Sequence, residues 1–339
     1  MSQKPPRGWS TASGALSLVA GIAVFVGFVW TIGPAEIGAG LLNVGWMFPV
    51  IVGLGGLRFL VRARAWSLCL EPPHSLRLRH AFAAVLAGDA VGNLTPLGPL
   101  VGEPAKAAFV RPHLSVPPAL TALAIENIFY TLSTAAMIAA GTIALLFAFE
   151  LPANVRELSE YGVAGIALLM AVTLVVLWRR PALISRWLPL VSRPGTRLHA
   201  STDRVRALEE DIYSFAARRK STVLPVILLE LTFHALGVLE THLAMWMILQ
   251  QPPPLVESFI LETANRLITV AFKFIPFQLG VGEVGTGAVT LILGRGAEPG
   301  GVLSIVRKAR MGVWALVGGA LLLRSGIRPA VRPQPPAKT

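Results

Sequence analysis

Residues 119–149 read ALTALAIENIFYTLSTAAMIAAGTIALLFAF, and one charged side chain, Glu126, interrupts the run. A helix rises about 1.5 Å per residue, so about 20 apolar residues cross a hydrocarbon core of about 30 Å. This stretch is long enough to span a bilayer. Comparable runs occupy residues 14–32, 37–60, 162–177, 222–249 and 302–323. Charged residues make up 14% of the chain, against about 25% in soluble domains. The deficit is spread over all the runs, which implies several spans rather than one anchor. The sequence therefore predicts an all-α, polytopic helical membrane protein with about six full spans.

Two further apolar segments are interrupted. One predicts a helix over 80–91 that breaks at Asn93-Leu94-Thr95-Pro96-Leu97-Gly98-Pro99 and resumes over 104–110. The other predicts a helix over 257–275 that breaks at Pro276 and the Gly-rich stretch 279–287, then resumes over 288–293. The breaks resemble each other. Pro96-Leu97-Gly98-Pro99-Leu100-Val101-Gly102-Glu103 and Pro276-Phe277-Gln278-Leu279-Gly280-Val281-Gly282-Glu283 share Pro, Val, Gly and Glu at the same spacing, 180 residues apart.

Net charge is +12, and the basic residues gather at Lys4/Arg7, 58–79, 179–220 and 324–338. Positive loops of a polytopic protein stay in the cytoplasm, which places both termini there. This pattern reads as loops facing anionic lipid, and nucleic acid is not an expected partner. The orientation makes segment 80–110 start and end inside, and segment 257–293 start and end outside. Each is a re-entrant hairpin or a pair of spans, and the Pro and Gly breaks favour the hairpin. Irregular backbone survives at membrane depth only when buried in protein or lining a polar cavity. Paired interrupted segments of opposite orientation point to an inverted-repeat transporter with a site near the midplane.

The organisation that follows is a cytoplasmic N-terminal segment over 1–12, a membrane domain over 13–325 and a disordered cytoplasmic tail over 326–339. Within the membrane domain, residues 180–220 form a cytoplasmic amphipathic connection. There Val205, Leu208, Ile212 and Phe215 share a helical face, which suits either the membrane surface or packing on neighbouring loops. The single cysteine, Cys69, reads as a packing thiol. No disulfide within the chain, metal centre or other cofactor is expected.

Charged residues inside spans are costly and therefore become functional candidates. Glu126, Tyr130 and Ser133 share a face of the third span. Glu230 and His234 are one turn apart in the fifth. Glu262, Arg266, Thr269 and Lys273 form a stripe down the second broken element, and Arg307 and Arg310 enter the last span. Such charges should face a shared cavity, where Arg266, Lys273, Arg307 and Arg310 can hold a lipid phosphate and Glu262 and Glu283 balance the excess. Glu103 and Glu283 each follow a glycine where a helix resumes. They either cap that helix or pair with a cation. Arg58 and Arg62 read as snorkelling residues near a cytoplasmic end. There is no Walker A sequence, no His-Glu-x-x-His site and no Gly-x-Ser-x-Gly elbow.

Three motifs carry a family resemblance: Arg64-Ala65-Trp66; Asn93…Pro96…Gly102-Glu103-Pro104-Ala105-Lys106; and Ile275-Pro276…Gly280-Val281-Gly282-Glu283. The chain resembles the transmembrane, flippase-like domain of the bacterial lysyl-phosphatidylglycerol synthase family over about residues 12–325, including a branch associated with hopanoid lipid biosynthesis. The resemblance implies a multi-helix protein of the bacterial inner membrane that flips or transports a lipid. It adds Asn93, Glu103 and Lys106 to the candidate cavity. Bifunctional members carry a separate C-terminal synthase domain, which this sequence lacks, so no synthase activity is expected. Where the family's second motif has a basic residue before its Glu, Gly282 stands here. Two rival readings remain: a membrane partner of lipid-biosynthesis enzymes, and a membrane-embedded lipid-modifying enzyme.

Overall fold

The computed structural model describes residues 34–95, 98–179 and 202–325, together with Trp30. The expected first span, the segment 1–12 and the tail 326–339 lie outside the described residues. Every regular element described is helical. Helix α1 (Pro34–Val44) leads through a 3-10 turn into α2 (Phe48–Cys69). A hairpin follows, α3 (Leu78–Leu94) and α4 (Gly98–Phe109). Next come α5 (Val116–Ala148), α6 (Ala153–Arg179), α7 (Thr202–Arg218) and α8 (Lys220–Leu249). A second hairpin, α9 (Leu255–Ala271) and α10 (Val281–Ile292), precedes α11 (Glu298–Ser325).

Four helical segments are long and apolar enough to cross a membrane: Gly38–Cys69, α5, α6 and α8. Proline opens α2 and α5 near the first helical position, where its missing N–H costs nothing. Helix α8 ends at Gln250, in the left-handed region at φ 56°, and three prolines follow Gln251. Two apolar clusters hold the bundle. One surrounds Trp66 and joins α2, α3, α4, α5, α7 and α8; the other surrounds Ile51, Met245, Leu261 and Leu303. Helix α6 buries no residue; its exposed leucines and valines suit contact with lipid.

The two interrupted segments are built alike. Each has a 17-residue helix, a break and a 12-residue helix. At 1.5 Å per residue the arms reach about 26 and 18 Å, short of the ~30 Å hydrocarbon core. Their glycines set the packing. Gly88 lies against Gly102 and Gly92 against Gly98, the pairing of antiparallel arms in close approach. The tips of the two hairpins also meet, since a Cβ on Gly98 would sit 3.2 Å from the Lys273 carbonyl oxygen.

Several boundaries differ from the sequence expectation. Helix α4 resumes at Gly98, not at residue 104, and carries Pro104 inside it. Helix α9 stops at Ala271, four residues before the expected end, so Lys273 lies in the turn. Helix α10 resumes at Val281 rather than at 288. Gly282, Gly285 and Gly287 are thus helical. They let α10 pack closely, with Gly282 under Ser304 and Lys308, Gly285 under Ile268, and Gly287 beside Gly300. The real break holds Phe277, Gln278 and Gly280 at φ 53°, 50° and 80°. Positive φ at two non-glycine residues stores strain of order 1–3 kcal/mol each.

The connection helix α7 packs on protein. Phe215 is fully buried with Trp66 and Val226, and its ring meets Phe129 edge-on at 6.4 Å. Arg218 donates to Glu71 at 2.8 Å, and that bond holds its guanidinium above the usual range. The side chains of Val205 and Leu208 lie outside the described residues.

Gly318 of α11 offers a direct test of the packing. A Cβ there would fall 2.2 Å from the Leu86 carbonyl oxygen, while nothing lies within 4 Å of Gly319. Gly318→Ala is expected to lose about 1–3 kcal/mol by overpacking, read as a fall in melting temperature in detergent. Gly319→Ala should hold or gain up to about 1 kcal/mol from helix propensity.

Candidate functional site

The centre of the bundle holds an ion-pair network assembled from four helices. Glu262 of α9 is fully buried. One oxygen pairs with Arg266, one turn along, and with Arg58 of α2 at 3.5 Å. The other accepts from Arg307 of α11 at 3.0 Å and from Thr241 of α8 at 3.1 Å. Glu240 of α8 accepts from Arg58 and from Arg310, both at 3.1 Å. Two glycines make the room. A Cβ on Gly237 would strike the Glu262 carboxylate, and one on Gly55 would strike the Arg310 side chain. Phe233 caps the cluster, with Arg58 4.5 Å and Arg266 5.0 Å from its ring centre.

Four guanidiniums thus share two carboxylates, a formal surplus of two positive charges. Each keeps a buried nitrogen without a hydrogen-bond partner: Arg58 Nε, Arg266 Nε, Arg307 Nη1 and Arg310 Nε. Buried donors are nearly always satisfied. Four open N–H groups on a positive cluster are donors of the kind that make charge-assisted bonds to an oxyanion.

One-to-one pairs surround the cluster. Arg62 grips Glu126 with two bonds, at 2.8 and 2.9 Å, and lies 4.1 Å over the Tyr130 ring. Glu283 accepts from the Gly280 N–H at 2.9 Å and pairs with Lys308 at 2.6 Å, so it caps α10 and binds a cation together. Lys106 pairs with Glu103 at 2.6 Å, and Asn93 donates to Asp89 at 2.8 Å. Outside the membrane-crossing helices, Arg295 donates two bonds to Glu257 at 3.0 and 2.9 Å, which hold its guanidinium above its usual range.

Of the residues singled out from sequence, the structure brings Glu262, Arg266, Arg307 and Arg310 into the central cluster. Glu103, Lys106, Glu126 and Glu283 sit in the flanking pairs, and Asn93 in the first hairpin. Lys273 is exposed on the hairpin turn. Glu230 and His234 stand apart on α8, with His234 Nε2 3.0 Å from Ser133 Oγ. Arg58 and Arg62 are not snorkelling residues: α2 runs on to Cys69, so Arg58 lies at mid-helix and is buried. Sequence reasoning missed Glu240 and Lys308. The rule that flagged Glu230, a carboxylate inside an apolar run, applies equally to Glu240.

The apolar helices, two broken hairpins and a buried charge cluster define a polytopic membrane protein with a polar centre. The chain belongs to the family described as Lysylphosphatidylglycerol synthase TM region, which it matches over residues 18–318. No curated protein and no solved structure matches it.

Removing the shared carboxylate tests the network. Glu262→Ala strands three guanidiniums and should cost about 3–5 kcal/mol. Glu160→Ala breaks only the exposed pair with Arg156 and should cost less than about 1 kcal/mol. Unfolding midpoints in detergent compare the two, and equal midpoints would show that the buried pairs contribute nothing to stability.

Proposed function

We propose that the protein translocates a lipid with an anionic headgroup between the leaflets of a bacterial inner membrane. The four open guanidinium nitrogens on a cluster with surplus positive charge carry this reading. A lipid phosphate supplies the missing acceptors. It exchanges water for fixed donors at membrane depth, where an unpaired charge is most costly.

The hairpins support the same reading. Two short-armed, broken elements converge, as their tips meet at Gly98 and Lys273. Interrupted helices at the membrane midplane are the usual framework of substrate sites in repeat-built transporters. The strained turn at Phe277 and Gln278 is a natural pivot, because strained backbone concentrates at switching and binding segments. The basic loops orient both termini toward the cytoplasm. A lipid gradient is sufficient to drive net movement, and the phospholipid itself is the partner this reading requires.

The test is movement of headgroup-labelled lipids between leaflets of proteoliposomes. Arg307→Gln removes one open donor and a charge-assisted bond of about 1.5–3 kcal/mol. It should slow anionic-lipid movement at least about tenfold at that energy, with the protein still monodisperse. Arg156→Ala, on the exposed end of α6, should move lipid like the wild type. Transport of no lipid above empty vesicles, or equal rates in Arg307→Gln, would overturn the proposal.

A further inference from the structure

At the base of each hairpin one side-chain pair joins the two arms, and the two pairs occupy equivalent places. Glu257 is the third residue of α9, and it pairs at 2.9 Å with Arg295, three residues past the end of α10. His80 is the third residue of α3, and its ring stacks on His113, four residues past the end of α4. The two imidazole planes lie 6° apart, with their centres 3.8 Å apart. Opposite charges thus close the second hairpin. The first is closed by two groups that, when free, titrate at about pH 6.5.

The surroundings of the stack favour its neutral form. Arg79 Nε donates to His80 Nε2 at 3.2 Å, so that nitrogen is an acceptor and carries no proton. Slight burial, the facing His113 ring and the guanidiniums of Arg79 and Arg77 all hold the His80 imidazole below its usual range. Arg111 lies two residues from His113, on the same exposed connection, and His74 is exposed on the connection leading into α3. From the packed helices, α2 adds the exposed Arg64, and α11 carries Arg324 in its last turn. The carboxylates are engaged elsewhere. Glu71, ahead of α3, is held by Arg218; Glu103 of α4 by Lys106; and Glu126, the first acidic residue of α5, by Arg62. Asp89 accepts from Asn93 and lies nine residues, about 13 Å, further along α3.

We propose that the His80–His113 stack is a proton-released clasp, which shuts the base of the first hairpin while both rings are neutral and lets it part when they take up protons. Two imidazolium rings at this separation repel each other, and the neighbouring guanidiniums add to the repulsion. Once apart, the rings regain water and titrate as free histidines. The open base therefore binds more protons than the closed one, so closure strengthens as pH rises. Closure is complete above the ordinary histidine range and is lost as pH falls through it. The Glu257–Arg295 pair contains no histidine, so the second hairpin stays shut over the same range. Acid thus loosens one hairpin and spares the other. The clasp requires no bound lipid and stands separately from the transport reading.

The test is hydrogen exchange of the full chain in nanodiscs from mildly alkaline to mildly acidic pH, with each rate corrected for the pH dependence of free amides. The reporters for the first hairpin are the amides of His113 and Leu114, which donate to the Val110 carbonyl at 2.8 and 2.9 Å. The reporter for the second is the Arg295 amide, which donates to the Thr290 carbonyl at 2.9 Å. Protection at His113 and Leu114 should fall as pH drops through the histidine range, by up to about tenfold per pH unit for each linked proton. Protection at Arg295 should stay level. His80→Phe combined with His113→Phe keeps two rings and removes the protons, and should stay protected at every pH. His113→Lys fixes a charge at the stack and should be poorly protected throughout. A level wild-type profile, or an equal fall at Arg295, would overturn the proposal without recourse to any variant. The wild-type slope persisting in the double Phe variant would overturn it as well.

Discussion

The Glu262 carboxylate is the point on which the centre of this protein depends. It lies on α9, yet it binds guanidiniums from α2, α9 and α11 and a hydroxyl from α8. In hydrocarbon surroundings each of those arginines is too costly to bury alone. One carboxylate makes three of them tolerable, and in doing so it specifies how four helices stand relative to one another. Gly237 is part of the same constraint, since any side chain there would occupy the space of the carboxylate.

Small residues do the corresponding work at the periphery. Gly88, Gly92, Gly98 and Gly102 bring the first hairpin's arms together, and Gly282, Gly285 and Gly287 seat α10 against α9 and α11. Within a membrane, helices gain little from hydrophobic burial against each other, so close van der Waals contact and polar pairing hold them. The hairpin arms are too short to cross the bilayer unaided. Close glycine contacts hold them in place, and the two tips meet at Gly98 and Lys273.

The arginine cluster offers open donors and surplus positive charge, and suits an oxyanion. On α8, His234 meets Ser133 of α5, while Glu240 and Thr241 reach the cluster.

The sequence by itself determined the helical class and the main spans, because a backbone in hydrocarbon has to satisfy its own hydrogen bonds and advertises this as long apolar runs. It also marked Glu262, Arg266, Arg307 and Arg310, because charge inside such runs is rare. Family membership was legible in three short motifs. Tertiary structure alone decided the partners. Arg58 meets Glu240 across 182 residues and Glu262 meets Arg307 across 45, and no local pattern encodes such pairings. Arg58 was misread because the apolar run fades before the helix does, at residue 60 rather than Cys69. The glycines near residue 285 suggested a loop and proved to be helix contacts, since a glycine needed for close packing looks in sequence like one needed for a turn. Which carboxyl pairs with which cation depends on which helices face each other, and only the folded chain settles that.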